Sequence, residues 1–195
     1  MTSTVLTQDQ ATSATTTTST WTIDPAHSLI EFAAKHMMIT TVKGRMVDVR
    51  GTLTLDEENP DRSAVEVEFD AASIDTRSEQ RDQHLRSADF LDVEHYPTVS
   101  FRSRRIKGAR PAEGGRFQIV GDLTIRGTTR EVTLDATFEG QGRDPWGGER
   151  VSFSADTKID RRDFGLTWNA ALETGGVLVS NDVKIHIELQ AVRAA

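Results

Sequence analysis

Histidine is the side chain best suited to acid–base or metal chemistry near neutral pH, and the chain contains several. The five histidines are His27, His36, His84, His95 and His186. No two of them have the spacing of a His-Glu-x-x-His zinc helix or of another metal motif, so the sequence predicts no metal site. His36 continues an alternating row of apolar residues. It is therefore either a polar group inside a barrel or at its mouth, or a hydrogen-bonded histidine of the core or rim.

The second candidate is the run Asp160-Arg161-Arg162-Asp163, which could be a phosphate clamp or an acid pair. Because its members are adjacent in a turn, a surface salt-bridge cluster is the commoner outcome. The chain has no nucleophile elbow, P-loop or dinucleotide-binding glycine motif. An enzyme that uses His36 or this cluster as acid or base would lack a partner that orients the base. We therefore expect no catalytic residue and no cofactor.

Composition narrows the class of protein further. The 195 residues suit one domain, the absence of cysteine excludes disulfides and thiolate chemistry, and the net charge of -7 argues against a nucleic-acid partner. Residues 1–19 are rich in Thr and Ser, so we expect a disordered tail before a single barrel domain at 20–195. The start lacks the features of a signal peptide, and no later segment is apolar enough to span a bilayer. We expect a cytoplasmic protein.

Apolar residues recur at every second position in segment after segment, which indicates strands with one buried face. The eight rows begin at Ile30, Val47, Val65, Val99, Phe117, Val132, Val151 and Val183. Thr41–Gly44 and Glu57–Arg62 are predicted turns between the first rows. Such antiparallel strands must close into a barrel or fold into two packed sheets, and the pattern favours the barrel only slightly. The interior of an eight-stranded barrel is either filled by side chains or holds a ligand.

The segment Ser78–Phe101 departs from the strand pattern and predicts a helical crossover between the third and fourth strands. Asp75 or Ser78 can cap the helix, Asp82 and Arg86 are spaced as an ion pair, and Pro97 ends it. We expect this segment to cover one end of the barrel as a cap or gate. The apolar residues that it would bury there are Leu85, Phe90 and Leu91.

Two apolar groups beside loops are open to more than one interpretation. Phe164, Leu166 and Trp168 alternate before the glycine-containing loop Glu173–Gly176, so they either border a ligand mouth or plug the barrel end. Met37 and Met38 either adapt to a flexible apolar ligand or fill ordinary gaps.

Three separated segments together resemble the YceI-like, polyisoprenoid-binding family. They are Trp21-Thr-Ile-Asp-Pro-Ala-His-Ser28, the block Arg81–Asp92 with Tyr96-Pro97 after it, and Asp160-Arg-Arg-Asp-Phe-Gly-Leu-Thr-Trp168. The resemblance covers about residues 20–193. It implies an all-β fold: an extended, lipocalin-like, eight-stranded antiparallel β-barrel whose apolar tunnel holds a long-chain amphiphile. Many members are exported to the periplasm, and this chain differs from them in lacking a recognisable signal peptide.

From the resemblance and the inward rows we expect the chain to bind and carry, store or sequester a polyisoprenoid or an isoprenoid quinone. Transient membrane contact and a homodimer are further expectations. The alternatives are a filled barrel that acts as an interaction or stress-related structural protein, and an enzyme acting on an isoprenoid or fatty substrate. The predicted ligand-binding residues are Ile30, Phe32, Ala34, His36, Met38, Val49, Leu53, Val67, Phe69, Leu85, Phe90, Phe101, Leu123, Ile125, Leu134, Phe153, Phe164, Trp168 and Ile185.

Overall fold

The computed structural model describes residues 18–110, 112–173 and 175–194. One antiparallel sheet contains every strand of this part of the chain. The strands are β1 (Thr18–Ile23), β2 (Leu29–His36), β3 (Thr40–Met46), β4 (Arg50–Asp56), β5 (Ala64–Asp70), β6 (Thr98–Lys107), β7 (Arg116–Ile125), β8 (Thr128–Arg143), β9 (Glu149–Asp160) and β10 (Val179–Arg193). The α-helix, α1, is Glu79–Arg86.

The sheet closes on itself because β1 pairs with both β4 and β10. The segments β1 and β2 lie end to end along β10, and β3 and β4 continue each other in the same way along β2 and β1. The ten segments therefore fill eight positions around a barrel. The predicted eight-stranded antiparallel barrel is confirmed, and the alternative of two packed sheets is not the fold.

The first hairpin differs from its prediction. Thr41–Gly44 is not a turn but part of β3, and the turn lies at Met37–Ile39, where Met37 and Met38 have φ of 52° and 60°. This strand escaped prediction because its inward row contains only Val42 and Met46 as apolar side chains, with Gly44, a residue typical of turns, between them. The barrel also begins earlier than the predicted boundary, since β1 starts at Thr18. Residues 1–17 of the predicted tail lie outside the described residues.

The helical crossover is shorter than predicted. The helix α1 ends at Arg86, and residues 87–97 continue as turns, so Pro97 does not end it. Asp82 does not pair with Arg86: it is buried and accepts hydrogen bonds from the backbone N and Oγ1 of Thr76, at 2.9 and 2.5 Å. Arg86 instead donates to the carbonyls of Ala72 and Ile74. Both side chains thus fasten α1 to the loop before it.

The predicted cap is present in outline. Leu85, Phe90 and Leu91 pack into the same hydrophobic core as the inward residues of the strands. Phe90 and Leu91 are buried, so the segment that contains α1 covers the barrel end at which β5 finishes and β6 begins. An eight-residue helix is too short to be stable alone, and these contacts explain why it forms.

Candidate ligand-binding cavity

The barrel encloses a cavity of about 860 Å³ to which all ten strands contribute inward side chains. This volume falls within the range of about 300–1,000 Å³ that is usual for small-molecule sites. The lining residues run along β9 from Glu149 to Ile159, nearly the full strand, so the cavity is long. Of the residues predicted to bind ligand, those that line the cavity are Ile30, Phe32, Ala34, Leu53, Val67, Phe69, Leu85, Phe90, Phe101, Leu123, Ile125, Leu134, Phe153 and Ile185.

Most of the cavity wall is apolar, and part of it is aromatic. Phe153 lies between Phe138 and Phe117, with ring centroids 5.4 and 6.1 Å away. Two glycines give the other rings room. A Cβ on Gly44 would lie 2.3 Å from the Phe32 ring, and a Cβ on Gly121 would lie 2.6 Å from the Phe101 ring. Larger residues there would push both rings toward the cavity.

One end of the cavity is open and charged. Exposed lining residues, including Arg110, Gln141 and Arg143, show that the cavity reaches the surface between the β6–β7 and β8–β9 loops. Glu149 joins Arg143 and Arg193 at 3.0 and 2.7 Å. Hydrogen bonds from these two arginines lower the pKa of the Glu149 carboxyl below its ordinary value. This rim therefore carries fixed, paired charges at neutral pH.

The opposite end is closed by α1 and by the loop between β9 and β10. His84 of α1 lies 4.5 Å from the Trp168 ring and 5.0 Å from the Phe90 ring, measured between centroids. Arg126 ties the two coverings together by donating to the carbonyls of Ala88 and Gly165, at 2.8 and 3.2 Å. Whether this end ever opens as a gate stays a prediction.

The other predicted residues lie outside the cavity wall. His36 and Met38 are exposed at the end of β2 and in the turn that follows, because the strand has left the barrel interior there. Val49 and Phe164 are buried in the surrounding core, and Trp168 packs against α1. We therefore correct the expectation that these five side chains border the tunnel: Phe164 and Trp168 belong to the packing that closes the barrel end.

The Asp160–Asp163 cluster contains both a surface ion pair and a buried arginine of the cavity wall. Asp160 and the exposed Arg162 form the expected surface ion pair, and the hydrogen bonds from Arg162 lower the pKa of Asp160 to about 2. Arg161, in contrast, is only 3% exposed and lines the closed end of the cavity. Sequence reasoning missed it, although it continues the odd-numbered inward row of Val151, Phe153 and Ala155. Following that row beyond Ala155 would have found it.

Comparison with known proteins agrees with this geometry. Residues 21–191 match the family model of the YceI-like domain. The chain belongs to the YceI-like family. A UPF0312 protein of Serratia proteamaculans is 40% identical over 168 residues, which cover 86% of this chain and 82% of the relative. A protein YceI of Salmonella newport is 39% identical over 167 residues, with the same coverage of both chains.

Solved structures share the barrel of this YceI-like domain. BcnA of Burkholderia cenocepacia superposes with a TM-score of 0.73 at 23% identity, covering 86% of this chain and 98% of BcnA. A YceI protein of Campylobacter jejuni gives 0.70 at 28% identity, covering 83% and 90%. A domain of Saccharophagus degradans that is described as polyisoprenoid-binding gives 0.65 at 14% identity, covering 89% and 98%. At such identities the first and third likenesses concern the fold alone.

Two kinds of feature are absent from the described residues. No helix there has the length and apolar character to cross a membrane. Within the same ranges, no three His, Asp or Glu side chains are grouped so that they could hold a metal ion.

Proposed function

We propose that this YceI-like domain binds a long-chain amphiphile, a polyisoprenoid or an isoprenoid quinone, inside its barrel. The observation that carries the proposal is the long apolar cavity of about 860 Å³ with one open, charged end. The description of the Saccharophagus degradans domain as polyisoprenoid-binding supports the same ligand class. The chain would then carry, store or sequester the lipid rather than convert it.

The energetics favour a long, flexible ligand. Each methylene that leaves water for the cavity contributes about 0.8 kcal/mol, whereas association costs at least ~4 kcal/mol. Affinity should therefore rise with chain length until the cavity is full. A short isoprenoid would recover little more than the cost of association.

The rival functions have less support. A filled barrel would leave little enclosed space, which the observed cavity argues against. For an enzyme, the acid–base candidates would have to face the cavity, but His36 is exposed outside it and the Asp160 carboxylate is engaged by Arg162 on the surface. Binding without catalysis is the function that this geometry supports best.

A transient membrane contact would supply the lipid at the open end. Trp146, at the tip of the β8–β9 hairpin, is 87% exposed and stands beside that opening. Tryptophan favours the membrane–water interface because its ring is apolar and its N–H is polar. The homodimer and the cytoplasmic location have no comparable support in the structure, and both stay predictions.

Native mass spectrometry of the full chain tests the proposal. After incubation with farnesol, geranylgeraniol or solanesol, we expect one lipid per chain and stronger retention of the longer alcohols. In Phe101→Trp the larger ring should fill the cavity and reduce retention at least tenfold. Arg102→Trp is the matched control, because Arg102 lies next in β6 on the outer face, paired with Glu66. Equal retention by both variants would contradict binding inside the barrel.

A further inference from the structure

Arg161 is a buried arginine whose hydrogen-bonding capacity is only partly used. Its Nε donates to the Ser180 carbonyl at 3.0 Å, and its Nη1 donates to the carbonyls of Leu166 and Trp168, the latter at 2.9 Å. The remaining nitrogen, Nη2, is buried and has no hydrogen-bond partner among the residues that the structure describes. A buried donor without an acceptor is costly, so this atom requires an explanation.

The guanidinium of Arg161 is also without an ion-pair partner among the described residues. The neighbouring Asp160 carboxylate is directed to Arg162, and no described carboxylate forms an ion pair with Arg161. Burial lowers the pKa of its guanidinium, yet arginine stays charged in proteins. Ile159, Leu166 and Val179, which lie near Arg161 in the chain or next to its hydrogen-bond partner Ser180, line the same cavity. A hydrogen-bond acceptor that reached this position would satisfy both the nitrogen and the charge.

Arg161 lies at the opposite end of the barrel from the other charged residues of the cavity lining. The other charged residues in the cavity lining are Asp56, Glu57, Arg110, Arg143, Glu149, Arg150 and Arg193. All of these lie toward the open end, where β4, β8 and β10 finish and β9 begins. Within the described residues, Arg161 is thus the charged lining group of the closed end.

We propose that Arg161 Nη2 donates a hydrogen bond to a terminal oxygen of the bound amphiphile. This inference rests on the proposed function and makes it more specific. The ligand is a long-chain molecule with a terminal hydroxyl, carbonyl or carboxylate oxygen. That oxygen lies at the closed end under α1, and the hydrocarbon chain extends toward the charged opening. A hydrocarbon of the same length leaves Nη2 unsatisfied and binds more weakly.

The test compares two probes on the full chain: geranylgeraniol, and the hydrocarbon obtained when its hydroxyl is replaced by hydrogen. Hydrogen bonds to charged groups are worth enough to give the alcohol at least a tenfold tighter Kd, measured by competition. Arg161→Lys should bring the two Kd values within about twofold of each other. The control is Arg126→Lys, since Arg126 supports the same loop but does not line the cavity. It should keep the preference.

A measurement on the unsubstituted protein covers the case in which Arg161→Lys does not fold. In protein labelled with ¹⁵N-arginine, the Arg161 Nε resonance, assigned through its backbone, should shift on addition of the alcohol and not of the hydrocarbon. Equal affinity for both probes, or a shift confined to rim arginines such as Arg143 and Arg193, overturns the inference while leaving lipid binding in place. Failure of both probes to bind would refute the proposed function itself, and with it this inference.

Discussion

Adjacent residues at the end of β9 have opposite environments, and the direction of each side chain decides its role. Asp160 faces water, where its carboxylate accepts hydrogen bonds from the backbone N and the guanidinium of Arg162. Arg161 faces the cavity and is buried. The run Asp160–Asp163, which indicates a surface ion-pair cluster, therefore also contains the one charged side chain at the closed end of the described cavity. Burial, which composition does not reveal, distinguishes them.

The Asp160 contacts predict a pH dependence of stability. Folding lowers the pKa of this carboxyl from its ordinary value near 3.8 to about 2. Its contribution is therefore present above pH 4 and is lost as the pH falls from about 4 to about 2. In Asp160→Asn this part of the stability profile should become flatter, as measured by urea unfolding midpoints at each pH. The control is Asp163→Asn, because the Asp163 carboxylate makes no hydrogen bond to another described residue; an unchanged slope in Asp160→Asn would refute the assignment.

At the scale of the element, the β2–β3 hairpin and α1 are both held by tertiary contacts rather than by their own propensities. The hairpin turns through Met37 and Met38 in the left-handed region, which side chains with a Cβ rarely adopt. The helix α1 depends on Thr76, to which Asp82 and Arg81 both bond. The position of the hairpin turn could not be predicted from local sequence, because no glycine or asparagine marks it. The contacts of α1 could not be predicted either, because Asp82 forms its hydrogen bonds outside the helix.

The strained turn predicts that glycine stabilises the hairpin. Left-handed backbone costs a residue with a Cβ roughly 1–2 kcal/mol, and glycine loses about 0.5–1 kcal/mol of entropy in return. Because Met38 is 59% exposed and lies outside the cavity wall, Met38→Gly should raise the free energy of unfolding by about 0.5–1 kcal/mol. Ile39→Gly is the control, since Ile39 is exposed in the same turn without positive φ. A loss of stability in Met38→Gly, measured by chemical denaturation, would contradict this account.

At the scale of the molecule, closure of the sheet explains how much the sequence could predict. A closed barrel has a dry interior, so inward residues alternate with polar ones and give the period of two from which eight strands were predicted. The period-two pattern is not recognisable where a strand is short or has few apolar inward residues. Trp21 and Ile23 form too short a row in β1, and Gly44 leaves only Val42 and Met46 as apolar inward side chains in β3. Most of the cavity wall was therefore predictable, including Arg161 if the inward row of β9 is followed to its end, whereas the first hairpin was not.

The whole barrel is polarised along its axis. Paired charges surround the open end, an apolar middle follows, and α1 and Arg161 lie at the closed end. Such an arrangement suits an amphiphile that enters through the opening and is released from water along its full length. The order of these three zones along the barrel axis follows from the pairing of the strands.

The most direct test is photo-crosslinking with a geranylgeranyl probe that carries a diazirine in mid-chain, followed by mass-spectrometric mapping of the adducts. The account predicts adducts on inward residues of the cavity wall, chiefly Phe69, Phe101, Leu123 and Phe153, and their loss when unlabelled geranylgeraniol competes. Their outward neighbours, such as Glu68, Arg102 and Thr124, should stay unmodified. Adducts confined to the outer face, or adducts that competition does not reduce, would contradict the claim that the barrel holds the lipid.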